Sequence, residues 1–152
     1  LTPAQESDRR AGRLYFSCHT TARPGGGSRG QILGPGERLY TAQLSGAQEV
    51  PPVTTAATGT FAVIVNAAGD SMSYEGIVQG LSGAPTGMHF HRGAAGVAGP
   101  VVYAITPVGT TPSGTQALVP ADLVSLMGSS IYVNVHTSAN AGGEVRGQLI
   151  RR

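Results

Sequence analysis

Beyond residue 38 the chain alternates apolar and polar residues in runs too short for helices, each bounded by glycine, proline or asparagine. Arg38–Leu44 opens the series. Gly59–Val65 and Ser71–Val78 flank Asn66–Asp70, a segment of hairpin-turn composition. Met88–Arg92, Pro100–Ile105, Ile131–Thr137 and Glu144–Ile150 complete it, while the prolines of Glu49–Val53 keep that segment out of any central strand. One stretch breaks the period: Pro120–Met127 has proline early, Asp122 in its first turn and Gly128 after its end, and reads as a short amphipathic helix. Seven or eight strands with one short helix predict an all-β fold, a Greek-key or immunoglobulin-like β-sandwich.

Facing decides what the polar positions do. In Ile131–Thr137 the apolar Ile131, Val133 and Val135 share one side and Tyr132, Asn134 and His136 the other. In Met88–Arg92, Met88 and Phe90 likewise oppose His89 and His91. The apolar sets should take the core, which puts His136 outside or under a loop and His89 and His91 on the outer sheet face with it. If the two strands are neighbours, three imidazoles converge.

A self-comparison changes the reading of the N-terminus. Shifted by 117 residues, Leu14–Leu33 lies on Ile131–Ile150 without a gap, and nine of the twenty positions are identical. Leu1, Pro3 and Ala4 fall on Leu118, Pro120 and Ala121. Residues 1–37 therefore read as an N-terminal β extension repeating the last third of a domain, and 38–152 as the complete domain, with Gly34-Pro35-Gly36 as connector. Gln5–Arg10, the counterpart of the helix, has no apolar stripe and should not dock as that helix does. A few isolated strands bury little and need a host sheet. The extension either packs on its own domain or donates strands to a neighbour, or else the chain is a piece of a longer tandem array. Leu14, Tyr15, Phe16, Cys18, His19 and Ile32 are the candidate intermolecular contacts. Cys18, at the place of core-facing Val135, reads as a small buried hydrophobe.

Composition narrows the function. The 152 residues carry ten arginines, no lysine and a net charge of +2, and the arginines are scattered without aromatic interleaving, which argues against a nucleic-acid partner. No run has the length of a membrane span, and no signal-peptide pattern opens the chain at Leu1. Gly/Thr/Ser/Ala-rich strands with only 12% charged residues point to an extracellular or cell-surface protein. A single cysteine excludes an intramolecular disulfide. No Gly-x-Ser-x-Gly elbow is present, and Gly93–Gly99 lacks the lysine and helix of a phosphate loop.

Ala42–Val53, Met88–Gly93, Gly99–Val102, Tyr132–Thr137 and Gly143–Leu149 resemble, in order, the chordin-type (CHRD) domain family. The resemblance covers about 38–151 and implies an extracellular β-sandwich module for binding rather than an enzyme. In chordins that means capture of a secreted protein. The His-x-His strand with a later strand histidine is also similar to the copper ligands of copper/zinc superoxide dismutases, which implies a copper oxidoreductase as the runner-up. No further histidine lies between His91 and His136 to bridge a second metal.

His89, His91 and His136 are thus the candidate ligands for copper or zinc, three imidazoles leaving a position open. Asn134, Glu75 and Glu144 are the candidates for holding the far ring nitrogens. The competing reading has the histidines tie the Gly93–Gly99 loop to the sheet. Arg92 and Arg146 either steer an anion to the site or are solvated or carboxylate-paired. The leading functional expectation is a module that assembles with copies of itself into a filament or surface polymer through residues 1–37, holding a metal at its three histidines.

Overall fold

The computed structural model describes residues 1–106 and 108–152, residues 27 and 28 by backbone alone. The chain divides into two compact units, Leu1–Glu37 and Arg38–Arg152. In the first, helix α1 (Pro3–Arg10) precedes a hairpin of β1 (Tyr15–Thr20) and β2 (Arg23–Gln31). Thr2 and Gln5 form a reciprocal capping box that starts the helix. No residue of α1 is buried, and Glu6 is paired with Arg9 and Arg10, as a segment without an apolar stripe requires.

The second unit runs β3 (Arg38–Ser45), β4 (Thr58–Val65), β5 (Ser71–Gln79), β6 (Pro85–Arg92), β7 (Val101–Ala104), β8 (Ser113–Ala117), α2 (Pro120–Met127), β9 (Ile131–Thr137), β10 (Val145–Gln148) and β11 (Ile150–Arg151). The strands form one antiparallel sheet in the order β7-β6-β9-β10-β3-β4-β5-β8, with β11 also on β3. The expected all-β fold holds, its strands joined in a single hydrogen-bonded path that folds over on itself. Tyr74 of β5 meets Phe90 of β6 edge to face at 5.4 Å between ring centroids, although four strands lie between them in the path. Period-two alternation builds the core. Phe61, Val63 and Val65 of β4, Met72, Tyr74 and Val78 of β5, Met88 and Phe90 of β6, and Ile131, Val133 and Val135 of β9 are all buried in one cluster.

Local chemistry sets the turns. The side-chain oxygen of Asn66 accepts from the backbone N–H groups of Gly69, Asp70 and Ser71, and Gly69 takes φ of +81°. Gly76 is the cross-strand partner of Phe61, and a Cβ there would stand 2.6 Å from the Phe61 ring. Strand β8 escapes the hydrophobic pattern, because Ser-Gly-Thr-Gln-Ala is polar on both faces, and its place is set by pairing with β5. Cys18, expected to be buried, is exposed. Within its own unit no further sheet among the described residues covers the apolar side of its strand, and Phe16 is 62% exposed with it. No described helix is long and apolar enough to cross a membrane.

Candidate metal centre

Register brings the three histidines together. Strands β6 and β9 pair so that His89 stands beside Asn134, His91 beside Tyr132 and Gly87 beside His136. The space directly across from His136 therefore holds no side chain, and the His89 ring leans into it from the diagonal position. The two rings stand 5.0 Å apart, and a Cβ at Gly87 would come within 3.2 Å of His89 Cε1. One ligand atom from each of His89, His91 and His136 lies within 4.8 Å of the others.

Each ring is fixed at one nitrogen or left open at one. His91 Nδ1 donates to the Gly99 carbonyl at 2.9 Å and His136 Nδ1 to the Ala141 carbonyl at 3.0 Å. A carbonyl only accepts, so the proton sits on Nδ1 and the lone pair on Nε2, the form a metal takes. The ring nitrogens left buried without a partner are His89 Nδ1, His91 Nε2 and His136 Nε2. Burial lowers the pKa of His89 and of His91, and the neighbouring His136 lowers both further. Both rings are accordingly neutral at pH 7. One nitrogen of His91 ties down the glycine-rich loop, as one reading of the sequence expected, and the ring stands with its fellow histidines, as the other requires.

The face carrying these rings is roofed over by a loop, one of the two placements the strand pattern left open for His136. Tyr132, Asn134, Arg146, Glu144 and His91 are all buried. The Arg146 guanidinium lies 3.6 Å over the Tyr132 ring, whose other side stacks on His91 at 4.9 Å and 11°. Arg146 also donates to the carbonyls of Val97 and Ala94, and Gln148 to those of Gly93, Ser129 and Ile131. Arg146 is thus neither solvated nor paired as a surface ion, whereas Arg92 is bound to Asp122, which also accepts from Tyr103 at 2.6 Å.

The expected carboxylate support is absent. Glu75 is exposed on β5. Glu144 is wholly buried but accepts from Ser82, Thr55 and Thr137. Neither makes a hydrogen bond to a histidine among the described residues; backbone carbonyls do that work. Asn134 lies beside His89 yet turns its amide toward Glu49 and Gly143.

Glu49 went unnoticed in the sequence. Burial pushes its carboxyl up to about 7, against the pull of Arg146 and a hydrogen bond from Asn134. A folded pKa above the unfolded value of 4.5 means that ionisation opposes folding, so stability falls as pH rises from 4.5 to 7. Glu49→Gln is expected to flatten that slope, measured as denaturation midpoints at pH 5 and pH 8. A signal for this buried cluster lay in the repeat, whose nine identities include Tyr132, Arg146 and Gln148 with His136.

The CHRD domain family model matches residues 40–149. The chain belongs to the CHRD domain family. The match spans every strand that carries the histidines and supports a binding module. Comparison with curated proteins and with solved structures found no match.

Proposed function

We propose that this CHRD chain is an extracellular binding module that holds a transition-metal ion at His89, His91 and His136, and that Leu1–Glu37 joins it to a neighbouring copy. The observation that carries the metal reading is a trio of histidines that offers one ligand atom each within 4.8 Å of the others, with one buried ring nitrogen on each left without a partner among the described residues. Such orphaned acceptors cost about 1–3 kcal/mol each unless something binds them. A transition-metal ion would take one nitrogen from each of His89, His91 and His136 as ligands, with small side-chain rotations closing the rings on it. Copper and zinc both suit an all-imidazole set, and a three-ligand site leaves one position open. Assembly is read from the exposed Tyr15, Phe16 and Ile32 of the first unit, a surface that repeats one buried in the second.

Metal content and size test the two halves together. His136→Ala is expected to bind zinc or copper at least about 100-fold more weakly than the parent, and Gly87→Val to do so while keeping all three ligands. Unchanged metal content in His136→Ala removes that residue from the site. Sedimentation of the parent beside a chain beginning at Arg38 reads assembly, and equal masses discard the extension as its cause. Copper-loaded parent that consumes superoxide would establish the oxidoreductase reading instead.

A further inference from the structure

The first unit copies not only the sequence of the second but its side-chain geometry. Helix α1 (Pro3–Arg10) falls on α2 (Pro120–Met127) at the same shift of 117 residues. The hairpin register is the same pair by pair: Tyr15 with Gln31, Phe16 with Gly30, Ser17 with Arg29 and Cys18 with Ser28, against Tyr132 with Gln148, Val133 with Gly147, Asn134 with Arg146 and Val135 with Val145. Arg29 lies 3.9 Å over Tyr15, as Arg146 lies over Tyr132. Gln31 donates to the carbonyls of Gly12 and Leu14, the counterparts of Ser129 and Ile131. His19 Nδ1 bonds the Pro24 carbonyl at 2.9 Å, as His136 Nδ1 bonds that of Ala141. His19 is therefore held in the same tautomer, with Nε2 bearing its lone pair.

What differs is the surroundings. In the second unit this hairpin sits between β6 and β3, presenting Ile131, Val133 and Val135 to the core. Gly147 is glycine because a Cβ there would run into the Gln43 carbonyl of β3. Its counterpart Gly30 has nothing within 4 Å of the same Cβ and no positive φ. Within its own unit nothing requires glycine at that place. A strand packed over it, as β3 packs over Gly147, would.

We infer that Leu1–Glu37 is a preformed closing piece for a second CHRD strand set, seating β1 and β2 between a His-x-His strand and a β3-type strand that lack a closing hairpin of their own. His19 then supplies the third imidazole of a metal site whose other two belong to that partner. The inference rests on the reading that Leu1–Glu37 mediates assembly and names its partner more narrowly. In the second unit the seat is already filled by β9 and β10, so residues 1–152 hold one seat and two closers. The hairpin fits an open strand set, and α1, with Glu6 and Arg9 where α2 has Leu123 and Leu126, fits a polar surface beside it.

Cys18 reports the seating, because it is exposed now and takes the core-facing place of Val135. The receiver is the full chain carrying Val133→Asp to empty its own seat, with Gly30→Ala and Cys18→Ser to silence its own extension. A second receiver replaces Val133→Asp with Gly147→Ala. Refolded with the parent chain, either receiver is expected to give a one-to-one complex in which the parent's Cys18 reacts with a thiol reagent about tenfold more slowly. Parent carrying Gly30→Ala should fold and yet not be captured. Parent carrying His19→Ala should be captured, with cobalt(II) held about tenfold or more weakly by the complex. A receiver that is unfolded alone still decides the matter, since rescue by the parent and not by its Gly30→Ala variant supports the seating. No complex with either receiver overturns it. Parent that assembles by itself with Cys18 fully reactive leaves the assembly reading standing and overturns the seating alone, and absence of both overturns both.

Discussion

Glu144→Leu is expected to destabilise the second unit by on the order of 4 kcal/mol, more than any other single side-chain change considered. The carboxylate is wholly buried and is the shared acceptor of four donors: the Ser82 N–H at 2.9 Å and the hydroxyls of Ser82 at 2.6 Å, Thr137 at 2.7 Å and Thr55 at 2.8 Å. These come from three separate parts of the chain, so the knot holds the Thr55 and Ser82 segments to the end of β9. Leucine fits the volume but leaves the donors with nothing to bond. Glu144→Gln keeps the shape and turns an acceptor into a donor facing donors, so it should lose a large part of the same energy.

The same residue sets an acid limit on the fold. Burial alone would raise this carboxyl, but the bonds from Ser82, Thr137 and Thr55 outweigh burial and hold its pKa at about 2. The unfolded chain titrates near 4.5, so the contribution is complete above that value and is lost as pH falls toward 2. Urea midpoints recorded from pH 6 down to pH 2 should decline steeply in the parent and less so in Glu144→Gln. Parallel declines would assign the acid limit to other carboxylates. Glu49 bends the profile the opposite way at higher pH, which places the stability maximum on the acid side of neutrality.

Gly99→Ala is the second large effect, and it should strike fold and site together. A Cβ at this position would land on the carbonyl oxygen of Arg92, a backbone atom with no freedom to yield. Gly99 also accepts the Nδ1 proton of His91 and donates its N–H to the Tyr132 hydroxyl at 3.0 Å. Moving it costs about 3 kcal/mol as overpacking. It also frees the His91 ring, which then exchanges tautomers. The expected result is a lowered denaturation midpoint together with a loss of metal affinity beyond that of Gly87→Val. Loss of stability with metal binding intact would show that the Gly99 carbonyl does not orient the ring.

Much of this was legible in the residues. Alternation assigned β4, β5, β6 and β9, and the inward faces of β6 and β9, because half-buried strands leave a period-two record. The His-x-His spacing with His136 gave the cluster, since strand geometry alone puts i and i+2 on one side. The roof over that face was not legible. It is made by Arg146, Gln148 and Tyr132 bonding to loop carbonyls, and carbonyls have no sequence signature. Glu144 was taken as support for the histidines for the same reason, its hydroxyl partners Thr55, Ser82 and Thr137 being spread over eighty-odd residues. Strand β8 was missed because its pairing with β5 uses backbone groups that any residue supplies.

The two margins of the folded sheet, β7 with four residues and β8 with five, are short, and β8 carries no large apolar side chain. Margins of that kind are poor templates for indiscriminate stacking. Within the second unit, chance stacking of strands at these margins is disfavoured. Whatever joins that unit must join it by shape, one matched piece at a time.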